Sequence, residues 1–202
     1  MKRKHKVITG VFVGLNLFLI FLFLLAPEGW FVQGIKVEVD KQRNIRAVEK
    51  RVIERLRMVR DAQIAYQSHF GLYTGSWESL IRFIRTDSLY ITERHEEIIT
   101  LDYGADSVQV VIDTVGRVSV MDSVFSQYGN FDFEQLKYAP ETGAPFELWV
   151  GRLEKGGFGV DAIEVKDTKP FNPDRNERNE LRARKPLRFG DREEVTTSGN
   201  WE

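Results

Sequence analysis

Three hydrophobic patterns follow one another along this chain. Residues 7–26 are an apolar run without a charged side chain. Between residues 45 and 70, apolar positions recur at alternating spacings of three and four, which predicts an amphipathic helix with one buried stripe. Beyond residue 97, apolar and polar positions alternate, which predicts β-strands. The patterns together predict an α+β fold.

The apolar run of residues 7–26 predicts a transmembrane helix, because about 20 residues at 1.5 Å each span the roughly 30 Å hydrocarbon core of a bilayer. A basic cluster precedes it and places the N-terminus in the cytoplasm. A cleaved signal peptide is the alternative, but its apolar run is usually only about 7–15 residues long, and no A-x-A motif follows here. The predicted anchor residues are Val7, Phe12, Leu17, Ile20, Phe23 and Leu25, and the basic residues are Lys2, Arg3, Lys4 and Lys6.

A long amphipathic helix is predicted after a connector. The connector, residues 27–40, contains Pro27 and two glycines that would interrupt a helix. Gly71 is well suited to follow the end of the long helix, and Ser76 predicts the N-cap of a second, short helix. The buried stripe consists of Ile45, Val48, Val52, Leu56, Val59, Gln63, Tyr66 and Phe70.

The strands are linked by turns of hairpin length, which predicts an antiparallel sheet. Gly116 is predicted in one turn, and Gly156 and Gly157 in another. The apolar stripe of the long helix and one face of the sheet are expected to bury each other. The predicted strands are residues 98–103, 107–115, 117–125, 146–153 and 159–167.

The last part of the chain is polar. Residues 170–202 carry mixed charges and few apolar side chains, which predicts an extended arm that either wraps its own domain or docks on a partner. The predicted organisation is therefore a cytoplasmic N-terminus (1–6), a membrane anchor (7–26), a connector (27–40), an extracytoplasmic α+β domain (41–169) and the arm (170–202).

Composition narrows the possible functions. The chain has 202 residues, which suits one domain with an appendage. Lys plus Arg (29) and Asp plus Glu (30) nearly balance, so no excess charge indicates a nucleic-acid partner. There is no cysteine, which excludes disulfides, a cysteine nucleophile and thiolate zinc sites.

Motifs for catalysis or cofactor binding are not found in the sequence. The histidines do not show metal-ligand spacing, and neither G-x-S-x-G nor G-x-x-x-x-G-K occurs. His95 lies among Glu93, Glu96 and Glu97, a stretch interpreted as a solvated charged loop. We therefore predict no catalytic residue, no metal ligand and no cofactor. An envelope hydrolase using Asp102, His95 and Glu97 is the least favoured hypothesis.

Aromatic residues in irregular segments are candidate partner anchors, although core packing is the alternative interpretation for each of them. One group lies at the junction of the two predicted helices, one in a loop-rich stretch, and one residue near the end of the arm. The candidate partner-binding residues are Phe70, Tyr73, Trp77, Phe131, Phe133 and Trp201.

A specific pattern spans residues 56–80, at Ala62, Tyr66, Gly71, Tyr73 and Leu80. With these residues the chain resembles type IV pilin-like proteins, especially type II secretion pseudopilins. The resemblance implies a long helix on an antiparallel sheet and a place in an envelope assembly. Pilin-like proteins carry a Glu inside the apolar helix, whereas residues 7–26 contain no acidic side chain. A pilin-like domain on an ordinary anchor is therefore expected, rather than a filament subunit.

These observations together predict a non-enzymatic subunit of a bacterial envelope assembly, such as a secretion or surface-structure apparatus. It would be anchored in the inner membrane, with its domain in the periplasm. Its expected partners are the membrane, other envelope proteins and further copies of itself, and no nucleic acid. The alternative hypothesis is a membrane-tethered sensor that binds a ligand or the cell wall, which would require a concave apolar pocket.

Overall fold

A computed structural model describes residues 13–21, 30–100, 106–129 and 131–202. The fold is α+β, with one long helix and two antiparallel sheets. The helices are α1 (Trp30–Phe70), α2 (Trp77–Thr86) and α3 (Val120–Val124). The strands are β1 (Ser88–Thr100), β2 (Asp106–Ser119), β3 (Phe146–Lys155), β4 (Phe158–Asp167) and β5 (Arg188–Gly190).

The transmembrane helix in the predicted fold class requires a correction. Within the described residues, no helix has the length and apolar character needed to cross a membrane. Residues 13–21 are helical, with Leu17 and Ile20 exposed. The other predicted anchor residues and the basic cluster lie outside the described residues: Val7, Phe12, Phe23, Leu25, Lys2, Arg3, Lys4 and Lys6.

Helix α1 begins earlier than predicted. It starts at Trp30, so the described part of the predicted connector is helical, including Gly34. A single glycine costs a helix only about 1 kcal/mol, and side-chain pairs on the exposed surface support this segment. Gln42 donates to Glu38 over 3.0 Å, and Arg43 lies 3.3 Å from Asp40.

The junction between the two helices agrees with prediction. Helix α1 ends at Phe70, and Gly71 follows with a positive φ of 79°. Ser76 is the N-cap of α2, since its side chain accepts a hydrogen bond from the backbone N–H of Ser79. Both capping predictions are confirmed.

The chain divides into two compact units, Met1–Ala47 and Val48–Glu202. In the second unit, the stripe of α1 lies in a hydrophobic core with side chains of α2 and of the sheet β3–β4–β5. The predicted burial of the stripe is confirmed in this unit from Val48 to Gln63, whereas Tyr66 is half-buried and Phe70 is exposed. The sheet contributes Phe146, Ile163, Val165 and Phe189 to this core.

The hairpin of β3 and β4 is confirmed, with Gly156 and Gly157 at positive φ in its turn. The predicted turn at Gly116 is wrong. Gly116 lies inside β2 and pairs with Ile91 beside a bulge, a common position for glycine in a strand. Residues 117–125 are not a separate strand, because Ser119 caps α3 by accepting from the N–H of Asp122.

Candidate protein-binding surface

Strands β1 and β2 form a two-stranded antiparallel sheet of their own, which we call the ribbon. The segment predicted as a charged loop around His95 is therefore a strand. It pairs with β2, whose β-branched valines and isoleucine favour an extended backbone. From Tyr90 to Ile99 every side chain of β1 is exposed, so neither face of this part of the ribbon is covered by the described chain.

One face of the ribbon carries a row of apolar side chains along β2. Residues paired directly across an antiparallel ladder point to the same side, and side chains alternate along each strand. Ile98 pairs with Val108, and Val110 and Ile112 lie on the same side, where their partners across the ladder are the charged residues Glu96 and Arg94. These four residues, the apolar face, are between 44% and 70% exposed. Exposed apolar side chains bordered by charged ones are typical of an interaction site.

The opposite side of the ribbon, the charged face, is polar. Nε2 of His95 lies 3.3 Å from a carboxylate oxygen of Asp113, which supports the ladder through an exposed pair. The two sides thus differ in chemistry, since the row of Val108, Val110 and Ile112 lies on one side only, and burial of that row is favourable. The charged face carries Glu93, His95, Glu97, Gln109 and Asp113, with Val111 between the last two.

Aromatic rings from three elements meet where the ribbon begins. Tyr66 and Phe70 of α1 have ring centroids 4.5 Å apart, and both contact Phe83 of α2. His69 stacks on Tyr90 of β1 with its ring only 4° from parallel. We call these five residues the aromatic cluster. Phe70 and Tyr90 are about half exposed, so the cluster has an accessible side next to the ribbon.

Two polar contacts position the aromatic cluster. Arg117 of β2 lies over the ring of Tyr90, 4.7 Å from its centroid, and donates to its hydroxyl over 3.2 Å. Gln63 is fully buried, and its side-chain amide donates to the carbonyl of Thr74 and accepts from its N–H. Thr74 is thereby held against α1, which fixes the loop between α1 and α2.

The candidate partner-binding residues lie in different environments. Phe70 is 47% exposed in the aromatic cluster. Tyr73 and Phe133 are core residues, with only 8% and 5% of their surface exposed, so they offer little area to a partner. The other three, Trp77, Phe131 and Trp201, are half-buried against the core. The assignment of all six to partner binding stays a prediction.

Phe131 is covered by Arg55. The guanidinium lies 4.5 Å from the ring centroid, and it also donates to the carbonyls of Gln135 and Tyr138. Burial lowers the pKa of Arg55. Because the guanidinium of Arg55 binds groups of its own domain, we interpret this region as a loop packed on α1.

Trp77 lines an open groove of about 290 Å³ between α2 and residues 133–137. Its walls carry charged side chains, including Arg85 and Glu134, which form an ion pair at 3.3 Å. A small-molecule site is usually enclosed and mostly apolar. The groove does not have these properties and gives no support to the sensor hypothesis.

The arm packs on its own domain. Phe189 of β5 is fully buried and pairs with Val165 of β4. Arg175 binds Glu49 of α1 at 2.6 Å, and Glu202 binds Arg60 of α1 at 2.6 Å. Of the two predicted possibilities for the arm, wrapping its own domain is the one that the structure shows.

Six charged side chains on the outer face of the three-stranded sheet form a closed cycle of ion pairs, which we call the charge ring. Each carboxylate contacts two cations and each cation contacts two carboxylates, at distances between 2.5 and 3.3 Å. The strands β3 and β4 contribute three members, and the arm, which includes β5, contributes the other three. In order around the cycle they are Glu164, Arg188, Glu177, Lys166, Glu147 and Arg192.

The charge ring changes the pKa values of two of its carboxyl groups. Hydrogen bonds from Arg192 and Lys166 lower the pKa of Glu147. Burial acts to raise the pKa of Glu177, but hydrogen bonds and charge from Arg188 and Lys166 outweigh it, so its pKa is lowered. Both carboxylates are therefore stabilised in their charged form. The ring consists entirely of matched pairs, which is typical of a structural network.

The residues named in the hydrolase hypothesis do not form a cleft. His95 and Glu97 lie exposed on the charged face of the ribbon, and Asp102 is outside the described residues. Among the residues that the structure describes, no group of three or more His, Cys, Asp or Glu side chains could hold a metal ion.

The apolar face of the ribbon was not singled out by sequence reasoning. The alternation of apolar and polar residues in β2 indicates that one side of the strand is apolar. Such a strand normally turns its apolar side to a core. Only the structure shows that no core built from the described residues covers this side. Comparisons with protein-family models, with curated proteins and with solved structures found no match to this chain. The resemblance to pilin-like proteins thus stays a prediction.

Proposed function

We propose that this chain is a non-catalytic protein-binding subunit of a multiprotein assembly. Its partner docks on the apolar face of the ribbon and on the accessible side of the aromatic cluster. The observation that carries this proposal is the exposure of Ile98, Val108, Val110 and Ile112 on one side of a sheet to which the described residues contribute two strands.

Energetics support this assignment. A two-stranded sheet is marginally stable in water unless a further strand or another surface covers it. Burial of apolar surface stabilises a complex by about 25 cal/mol per Å² before the costs of association. A partner that covers the apolar face therefore stabilises the ribbon and gains affinity from the same contact.

The aromatic cluster adds anchors of the kind that dominate binding energies. Tyr residues are enriched among binding hot spots, and aromatic rings bury a large area with few rotatable bonds. Phe70 and Tyr90 lie at the base of the ribbon, and Leu72 beside them is also exposed. A single partner can therefore contact the ribbon and the cluster together.

A more specific form of this proposal places the chain in the bacterial envelope, in a secretion or surface-structure apparatus. It depends on the resemblance described above and on no contact in the structure. Purification of the assembly from cells tests this more specific form. The docking surface is tested separately, with variants of the chain itself.

Site-specific photo-crosslinking in cells tests the docking surface. A photoreactive amino acid replaces Ile98 in one variant and Phe158 in a control, because Phe158 is an equally exposed apolar residue at the turn of the other hairpin. We expect a discrete adduct with another protein from position 98 and none from position 158. Adding V110D should abolish the adduct. Identical adducts from both positions, or none from position 98, would refute the proposal.

A further inference from the structure

The ribbon has two free edges. In the described part of the chain its sheet has the order β1–β2 and no third strand. Each strand of such a pair directs alternate backbone N–H and C=O groups outward. An added strand satisfies these groups with backbone hydrogen bonds, which is a common way in which proteins associate.

The two edges differ in how well they are protected from such pairing. The centre of β1 carries five consecutive ionisable side chains, residues 93–97. The centre of β2, residues 108–114, carries a single charge at Asp113 among β-branched residues. Charged side chains discourage edge pairing, whereas a β-branched strand of low charge favours it. The open edge is therefore that of β2.

We propose that the edge of β2 pairs with β2 of a second copy of this chain, antiparallel about a two-fold axis at Val111. In this register Val110 lies opposite Ile112 of the second copy, and Gln109 lies opposite Asp113 of the second copy. Two-fold symmetry repeats each pair. The central pairs are complementary, since Val110 and Ile112 meet each other and the amide of Gln109 donates to the Asp113 carboxylate.

The corresponding pairing of β1 gains no net attraction from charge. Antiparallel pairing of two β1 strands about His95 would place Glu93 opposite Glu97 of the second copy twice, which is destabilising, and Arg94 opposite Glu96 twice, which is stabilising. The choice of edge therefore follows from the run of charged side chains on β1, which discourages edge pairing.

Pairing of β2 creates a continuous four-stranded sheet. Residues at even positions in β2 stay on the same side in the proposed register, so the apolar faces of the two copies become one surface. The inference rests on the proposed function, because it makes this joint surface the site on which the protein partner docks. The pairing of β2 is tested on the purified chain alone, so a negative result can be distinguished from a failure of partner binding.

Disulfide trapping tests the register. The chain has no cysteine, so a single substitution gives one thiol per copy. In V111C the two thiols are directly opposite, with Cα atoms about 4.5–5.5 Å apart, within the range that a disulfide spans. The control is H95C, which lies across the ribbon from Val111 and is also part of the ladder. Its thiols would be roughly 14 Å apart in the dimer.

We expect mild oxidation of the full 202-residue chain to give a covalent dimer from V111C and only monomer from H95C. Circular dichroism establishes that both variants are folded. Equal dimer yields from both variants, or no dimer from V111C, would overturn the proposal.

A second measurement uses no cysteine. Q109E places a carboxylate opposite Asp113 of the second copy in two symmetric pairs, so the dimer dissociation constant should rise roughly tenfold in sedimentation equilibrium. Q109K should lower it, because each lysine then faces a carboxylate. An original chain that stays monomeric, or equal constants for Q109E and Q109K, would contradict the proposed pairing.

Discussion

Arg188 donates from Nη1 to Oε2 of Glu164 over 3.1 Å, and both side chains are almost completely buried. Glu164 belongs to the central strand β4, while Arg188 is in β5, which the arm contributes. The pair therefore attaches the arm to the sheet. A buried charge without a partner is costly in free energy, so each of these two buried charges is stabilised by the other.

Replacing Arg188 should destabilise the domain strongly. R188M leaves the Glu164 carboxylate with Arg192 as its remaining partner in the charge ring. Removing one member of a buried ion pair costs about 3–5 kcal/mol, and we expect a loss near the lower limit because Arg192 remains. The free energy of unfolding in urea measures this loss.

The matched control for R188M is R94M. Arg94 and its partner Glu96 are both more than 60% exposed in side-chain surface, so the loss should be under about 1 kcal/mol. Equal losses from the two variants would show that the charge ring contributes no more than a surface pair.

The charge ring should make the stability of the protein depend on pH in acid. Because the pKa values of Glu147 and Glu177 are lowered by folding, the unfolded chain binds more protons than the folded one below the ordinary glutamate pKa of about 4.3. The stabilisation is complete above that pH and is lost as pH decreases through the lowered values.

We expect the free energy of unfolding to fall as pH is lowered from about 5 to 3. E147Q removes one of the titrating groups and should make this dependence shallower. Urea titrations at several pH values measure both slopes. An unchanged slope in E147Q would mean that Glu147 does not contribute through the charge ring.

Asp167 should show the opposite behaviour. Burial raises its pKa, although the backbone N–H of Lys169 donates to its carboxylate and opposes the shift. A carboxyl group with a raised pKa in the folded state favours folding at low pH, and that stabilisation is lost as pH increases through the raised value. D167N should therefore increase stability at pH 7, with a gain that disappears below pH ~4. A constant difference across this range would contradict the raised pKa.

Elements with a local signal could be predicted from the sequence. The stripe of α1, the caps at Gly71 and Ser76, and the hairpin of β3 and β4 each depend on residues close together in the chain. Prediction succeeded there because helix periodicity and turn chemistry act over a few residues.

Features that depend on distant partners could not be predicted. The alternation in β2 was recognised, but the exposure of its apolar side depends on which elements reach it. Gly116 gave a turn signal that the pairing with β1 overrode through a bulge. Glu164 and Arg192 are 28 residues apart, and no short motif indicates that they would meet in the charge ring.

Gly190 tests how tightly the arm is attached. Its φ is 76°, and a Cβ added there would lie 1.9 Å from the carbonyl oxygen of Ile163, which accepts a hydrogen bond from the N–H of Asp191. G190A must therefore displace β5 from β4. We expect a loss of roughly 3–5 kcal/mol in the free energy of unfolding, because both a strained φ and a backbone clash contribute.

Gly156 is the matched control for Gly190. It also has a positive φ, 59°, but nothing lies within 4 Å of an added Cβ. G156A should cost only about 1–2 kcal/mol, the price of a left-handed backbone for alanine. Hydrogen exchange should also separate the variants, with faster exchange in residues 188–202 only for G190A. If G190A and G156A lost equal stability and exchanged alike, the contact between β5 and β4 would not be what attaches the arm.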